Sequence, residues 1–378
     1  MALPPILTSE EAVALITRTL EQSRGDFDVF LDMMELLTQA KLFRTRPEKP
    51  ILSYNNQFDG MVADSTAIHK YRFTISQIEL LSHKLRLPAW IPTPWSDKVE
   101  VVEALAITCR RLAEPCRLYS VANEVGRSVE ACSRIIRATV EAIVKRWRST
   151  ITTNTRLLVL RSEMYAQAVQ KKCGLSGVRS CIAFIDGTKQ YISRPRPRKG
   201  GGEHENLQRS VYNGHPRRHC LNWQGITTPD GVIVSMFGPV EGRRHDSTML
   251  SMSRVLDVMQ ADPVLCKFCL YGDPAYGCRQ CLCCPFPCAA PGSPEAAFNS
   301  AMSSVREAVE WSFHLVKDLW AYLGYHKKMQ VRKSPIGLFW LVATLLTNCH
   351  TCLKPHGNQI SMYFDMAPPS LEQYLGEL

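Results

Sequence analysis

Three acidic residues stand in local surroundings that explain an acid at each place. Asp186 ends the apolar run Cys-Ile-Ala-Phe-Ile-Asp (181–186), which reads as a buried strand stopping at a carboxylate. Asp273 ends a second such run, Cys-Lys-Phe-Cys-Leu-Tyr-Gly-Asp (266–273). Glu310 lies inside the helical pattern Val-Arg-Glu-Ala-Val-Glu-Trp-Ser-Phe (305–313). Two strand ends and one helix face that bring carboxylates to a common point can hold two hard divalent cations, Mg²⁺ or Mn²⁺, for phosphodiester chemistry. Each acid also has a plainer role. Asp186-Gly187-Thr188 and Asp273-Pro274 can be simple turns, and Glu307 shares nearly the same helix face as Glu310. The occurrence of all three in order favours a metal site bridged by Asp186 and completed by Asp273 and Glu310.

Asp246 belongs to Gly-Arg-Arg-His-Asp-Ser-Thr-Met (242–249), just ahead of a helical pattern. Three roles stay open for it: an auxiliary metal ligand, the helix N-cap (shared with Ser247), or a replacement for Asp273 in the triad. Arg243 and Arg244 beside it suit phosphate binding at a helix N-terminus. The segment 189–218 carries Lys189, Arg194, Arg196, Arg198, Lys199, Arg209, Arg217 and Arg218 against only Glu203 and Glu205. It reads as a basic loop next to Asp186, either solvated or, as favoured here, in contact with a DNA backbone. Cysteines at 266, 269, 278, 281, 283, 284 and 288 include the Cys-x-x-Cys spacings 266/269 and 278/281. They raise structural Zn²⁺, held by Cys278, Cys281, Cys284 and Cys288, as a further expectation.

The elements that must position these residues follow from periodicity. The order from 181 onward reads strand (181–186), strand (219–228), strand (231–238), helix (247–260), strand (266–272), long loop, helix (297–323) and helix (334–352). Three strands, a helix and a fourth strand is the order of a ribonuclease H-like fold, an α/β core with a mixed sheet flanked by helices. There the fourth strand lies beside the first and brings Asp186 and Asp273 together. Upstream, 76–150 is helical throughout. A short helix ending near Val125, a turn at Gly126 and a helix capped by Ser128 have the layout of a helix-turn-helix. Arg127, Ser128, Glu130, Ser133, Arg134 and Arg137 would be exposed there, with Arg134 and Arg137 the candidate DNA contacts. An ordinary three-helix packing domain is the alternative. The expected division is an N-terminal helical region at 1–75 (one amphipathic helix over 9–40), the helical domain at 76–150, a link at 151–180, the catalytic core at 181–352 and a tail at 353–378.

Composition sets bounds on this reading. A net charge of +10 makes an anionic partner plausible, and an apolar content of 45% argues against wholesale disorder. Fifteen cysteines without a secretory signal at the start suggest reduced thiols inside a cell, or metal ligands. The longest apolar stretch, Ile336–Thr347, falls well short of the roughly 20 residues of a membrane span, so it reads as a core helix and no membrane partner is expected.

Several strings together resemble the PIF/Harbinger superfamily of DDE transposases and the nucleases derived from it. These are IDGT (185–188), YNGH (212–215), TPDG (228–231), GPVEGRRHDS (238–247), GDPAY (272–276) and SSVREAVEWSFHLVK (303–317). They occur in family order across roughly 180–350, and the upstream helical unit is also similar. The resemblance implies Asp186, Asp273 and Glu310 as catalytic triad, with Asp246 as a further acid at the metal site. It also implies a nuclear protein, in the cytoplasm where a partner is lacking, that works with a Myb-like accessory protein. The expected partners are therefore double-stranded DNA (element ends and target site), that accessory protein and further copies of the chain. The cysteine-rich loop at 278–288 departs from the family pattern. A domesticated DNA-binding protein that no longer cuts, and a repressor-like module with a degenerate core, are the competing readings.

Overall fold

The computed structural model describes residues 7–40, 42–43, 51–175, 180–196 and 207–376. The chain divides into two compact units, residues 1–51 and 52–378. In the first, the single helix expected over 9–40 is two helices, α1 (Ser9–Gln22) and α2 (Phe27–Gln39). The break has a local cause. Arg24 and Gly25 take φ of 50° and 85°, and the Asp26 side chain then caps α2 by accepting from the amides of Asp28 and Val29.

The second unit opens with six helices: α3 (Asp64–Tyr71), α4 (Ile75–Lys84), α5 (Val101–Ala113), α6 (Leu118–Glu124), α7 (Val129–Thr152) and α8 (Thr155–Cys173). The short helix, glycine turn and capped helix expected near 118–147 are present. Gly126 has φ of +62°, a side chain there would collide with the Asn56 carbonyl, and Ser128 Oγ accepts from the Ala131 amide. These helices share one unit with the sheet, because α7 runs on to Thr152 and packs against β4 and α13 as well as α5. The stretch 151–180, expected as a link, carries α8 instead. Asn154 caps it, Gly174 ends it at φ +70°, and it packs on β1.

The sheet is built around β1 (Cys181–Tyr191). After α9 (Leu207–Val211) come β2 (Tyr212–Asn213), β3 (Arg218–Thr227) and β4 (Ile233–Glu241). β3 lies antiparallel to β1 and also pairs with β4 and β2. The helix expected over 247–260 is interrupted at Arg254, where φ is 54°, giving α10 (Asp246–Ser253) and α11 (Val255–Ala261). β5 (Cys269–Tyr271) then pairs in parallel with β1 on its other side, and β6 (Leu282–Cys283) pairs in parallel with β5. The result is a mixed sheet with helices against it, consistent with the expected ribonuclease H-like order. β5 is shorter than expected because residues 265–267 form a 3-10 turn, and the two-residue β2 and β6 were not anticipated.

Four helices complete the chain: α12 (Pro294–Leu319), α13 (Ile336–Cys352), α14 (Gln359–Tyr363) and α15 (Leu371–Leu375). α13 is buried along most of its length, as its apolar sequence requires, and no helix among the described residues is long and apolar enough to cross a membrane. α12 crosses β1 and β3 closely enough that Phe313 occupies the space where a Cβ on Gly225 would stand, 2.5 Å away. Gly225 is the β3 partner of Asp186, so the same glycine sets how near α12 comes to the end of β1.

Candidate active site

The register of the central strands is what assembles the site. Residues 181–185 of β1 are wholly buried, and the strand becomes accessible at Asp186. Phe184 pairs with Tyr271 in the parallel β1–β5 ladder, so Asp186 and Asp273 each lie two residues beyond that pair, at the same end of neighbouring strands. Asp273 also caps the 3-10 turn at 274–276, its Oδ1 accepting from the Ala275 amide at 2.8 Å. That cap turns Tyr276 inward beneath the acids.

α12 supplies the third acid together with a cation. Arg306 donates from Nη1 to Asp186 Oδ2 at 3.1 Å and from Nη2 to Glu310 Oε1 at 3.3 Å. Among the described residues Glu307 makes no ion pair or hydrogen bond, so α12 turns Glu310 rather than Glu307 to the strand end. Two turns further along the same stripe, Lys317 is largely buried and donates to Thr188 Oγ1 on β1 at 3.0 Å. Burial pushes the Lys317 amine below its usual range. Neither Arg306 nor Lys317 was singled out from the sequence. The signal was available: Arg306, Glu310, Phe313 and Lys317 fall at i, i+4, i+7 and i+11, a single helix face.

Asp246 does not cap α10. It is the first residue of the helix, His245 holds the N-cap position, and no side chain caps the helix amides. Instead Asp246 leans against β1, where Oδ1 would be 2.5 Å from a Cβ at Gly187. It makes no hydrogen bond or ion pair with a described residue. Burial pushes its carboxyl up from the usual range and Asp273 adds to this, while Lys189 and His245 pull it back. Burial likewise raises Asp186, opposed by the Gly187 amide and Arg306 and reinforced by Glu310 and Asp246. Tyr276 is buried, lies close to Asp246, Asp186 and Asp273, and has a hydroxyl without a hydrogen-bond partner.

These observations test the site against a divalent cation. The donors are hard oxygens, two of the carboxyls are short of positive partners, and a buried hydroxyl beside them is orphaned; all three features fit. The acids are not closed around a point, however. Among the described residues no group of three metal-ligating side chains is gathered, and Arg306 lies where charge compensation for Asp186 and Glu310 is needed. The donor set suits the ion, and Arg306 has to move for Asp186 and Glu310 to share one.

The basic residues expected to touch DNA are unevenly placed. Arg194 is occupied by Gln208, Arg218 lies over the ring of Tyr191, and Arg196 and Arg217 are exposed. Arg243 is exposed beside the acids, and Arg244 pairs with Glu241 at 3.1 Å. Arg198 and Lys199 lie outside the described residues. On α7, Arg137 is exposed and Arg134 is held by Asp97 through two 2.8 Å contacts, while Arg127, just before the helix, is held by Glu103. Asp97 in the loop before α5 and Glu103 in the first turn of α5 supply those acids, so two of the six residues expected to face outward are drawn into the fold. The cysteine loop is not gathered as the zinc expectation requires. Cys278 and Cys281 aim at the carbonyls of Cys284 and Cys266, and no group of three ligands forms among the described residues. β6 pairs on β5 through this loop, and the closest thiol contact there is Cys283 Sγ to Cys269 Sγ at 3.6 Å, outside the expected ligand set.

Residues 185–348, under half of the chain, match the family model described as DDE superfamily endonuclease. The match begins one residue before Asp186 and includes Asp246, Asp273 and Glu310. No curated protein and no solved structure matches the chain. The family match supports a DDE transposase family for this chain and suggests metal-dependent nuclease chemistry.

Proposed function

We propose that this chain is a divalent-metal-dependent DNA endonuclease of the transposase kind, with Asp186, Asp273 and Glu310 as its catalytic acids and Asp246 as a further ligand. The observation that carries the reading is the parallel β1–β5 register, which sets Asp186 and Asp273 side by side while α12 turns Glu310 toward them. Bound Mg²⁺ or Mn²⁺ would supply Lewis acidity to the attacking and leaving oxygens of a phosphodiester. The chain's own residues do the rest. Gly187 lets Asp246 approach β1, Lys317 anchors Thr188 just past Asp186, and Arg306 neutralises Asp186 and Glu310 until a stronger cation takes its place. The exposed Arg196, Arg217 and Arg243 would hold the DNA backbone, with Arg137 on α7 as a more distant contact.

The finer assignment goes with this reading: a PIF/Harbinger-type protein of the nucleus, acting on element ends with a Myb-like accessory protein and further copies of itself. A second reading, a DNA-binding protein that no longer cuts, draws on the Arg306 bridge and the absence of a gathered ligand group among the described residues. Incubation with supercoiled plasmid separates the two. The first reading expects nicks that require Mg²⁺ or Mn²⁺ and vanish in Asp186→Asn while plasmid binding persists. Binding without nicks in either metal would establish the second.

A further inference from the structure

Beside the acids lies a cavity of about 480 Å³, within the size range of small-ligand sites at about 300–1,000 Å³. Its walls come from β1, from β2 and the turn after it, and from the segment leading into α10. Lys189, Tyr212, His215, Arg243 and Arg244 line it, and Asp246 and Ala275 form the side facing the acids. The Ala275 amide is the one that holds Asp273, so the cavity opens directly onto the carboxylate cluster.

We propose that this cavity receives a single unpaired nucleotide of the DNA strand being processed, its base against Tyr212 and its phosphate among Lys189, Arg243 and Arg244. This rests on the endonuclease reading and names the form of DNA that the site prefers. The volume is far too small for a duplex but suits one nucleotide. The lining is cationic: Lys189 and Arg243 make no ion pair among the described residues, and Arg244 shares its charge with Glu241. An anion is therefore the fitting occupant.

Tyr212 distinguishes a nucleotide from a bare anion. Its ring is 42% exposed at the rim, although the residue sits in a strand. β2 exists only as Tyr212–Asn213, paired with Arg218–His219, and His219 meets the Tyr212 ring edge-on at 5.4 Å. An exposed aromatic ring beside cations is how proteins take unstacked bases without reading their sequence. Asn213 and Asn222 are engaged with the carbonyls of Gly242 and Arg244, so they shape the wall rather than read a base. A strand with one nucleotide lodged here would present its adjoining phosphodiester to Asp246 and Asp273.

The test uses the full chain in metal-free buffer, where no strand is cut. Two probes are compared: a blunt 20-base-pair duplex, and the same duplex with a three-nucleotide 3′ overhang carrying 2-aminopurine. The overhang probe should bind about tenfold more tightly, with its fluorescence quenched on binding. Tyr212→Leu should remove the quenching and most of the preference while leaving blunt-duplex affinity and melting temperature unchanged. Lys189→Gln combined with Arg243→Gln should weaken the overhang probe more than the blunt one. Equal affinity for the two probes, or a preference that survives Tyr212→Leu, overturns the proposal. So does competition by inorganic phosphate that is as effective against Tyr212→Leu as against the natural chain, since that marks a simple anion site. Plasmid nicking separates the two levels: if plasmid is nicked while the overhang preference is absent, only the cavity proposal falls. If neither probe binds and no nicking occurs, the endonuclease reading falls with it.

Discussion

Two Asp-Gly pairs in this chain show opposite uses of a buried carboxylate. Asp230-Gly231 sits in the turn between β3 and β4, and Asp186-Gly187 lies on β1. In both, the missing glycine side chain leaves room for a neighbour's oxygen: Asn358 Oδ1 would be 2.1 Å from a Cβ at Gly231, and Asp246 Oδ1 2.5 Å from one at Gly187. Burial pushes both aspartate carboxyls up from the usual range. The difference lies in what surrounds them. Asp230 accepts from Tyr165 Oη at 2.7 Å, Thr228 Oγ1 at 2.6 Å and the Val232 amide at 3.3 Å. Arg161 Nε adds an ion pair at 3.2 Å, by distance alone, since its N–H makes no hydrogen bond. Its neighbour Asn358 is equally well satisfied, donating to Gly231 and Thr351 and accepting from Ile360 and Ser361. Asp186 has one amide and one shared guanidinium, and Asp246 has no hydrogen-bond donor among the described residues. A carboxylate saturated with donors holds a fold together, whereas acids crowded together and short of donors leave capacity for a cation that arrives from outside.

Removing each acid should break the comparison most sharply. Asp230→Ala leaves buried Arg161 without its counter-charge and removes the acceptor of the Tyr165 hydroxyl, and should cost about 3–5 kcal/mol of stability. Asp186→Asn should leave urea-induced unfolding nearly unchanged and reduce plasmid nicking to background. If Asp186→Asn unfolds the chain as Asp230→Ala does, the two acids are alike and both are structural.

The glycines give the next effect. Gly231→Ala meets both a φ of +80° and the fixed Asn358 amide, and should cost about 1–3 kcal/mol. Gly187 has no such backbone demand, and its obstacle is one carboxylate oxygen that can swing away. Gly187→Ala should therefore melt within a few degrees of the natural chain yet bind Mn²⁺ more weakly, as titration calorimetry would report. Unchanged Mn²⁺ affinity would remove Asp246 from the ligand set.

Much of this contrast could be read in the sequence, and the unread part has physical reasons. Asp186 and Asp273 were legible because an apolar run that stops at an acid is costly without a use for the charge. Glu310 was legible from the pattern around it. Arg306 and Lys317 were not, since charged residues on an amphipathic helix read as a solvated face until the sheet beneath them is known. α8 escaped for the opposite reason. Its inward side carries Arg161 and Tyr165, whose partner Asp230 is far along the chain, so the helix lacks a clean apolar stripe. The zinc expectation came from spacing alone, which cannot see that Cys278 and Cys281 turn to backbone carbonyls.

Arg306 offers a smaller but more pointed perturbation. It is the group that makes the Asp186 site resemble the Asp230 site while no metal is bound. In Arg306→Gln the metal-free protein should lose at most about 1 kcal/mol, as expected for a partly exposed pair. Asp186 and Glu310 would then face each other uncompensated, and Mn²⁺ should bind several-fold more tightly. Weaker binding would show instead that Arg306 positions the acids for the ion, and would make it part of the assembled site.

The smallest expected effect concerns pH, and it tests the claim that Asp186 is under-compensated. A carboxyl raised in the folded state binds its proton more tightly there than in the unfolded chain, so its favourable contribution is complete below the unfolded value and disappears as pH rises through the folded one. For Asp186 the cause is burial, only partly offset by the Gly187 amide and Arg306. In metal-free buffer, Asp186→Asn and the natural chain should therefore be closest in stability below the ordinary carboxylate range. The asparagine variant should gain on the natural chain as pH rises, and the gap should level off near neutrality. Saturating Mn²⁺ should reverse the order at neutral pH, because only the natural chain presents the anionic oxygen to the ion. A gap that is independent of pH would mean that Asp186 is as well satisfied as an exposed acid, and the distinction from Asp230 would then have to rest on Asp246 alone.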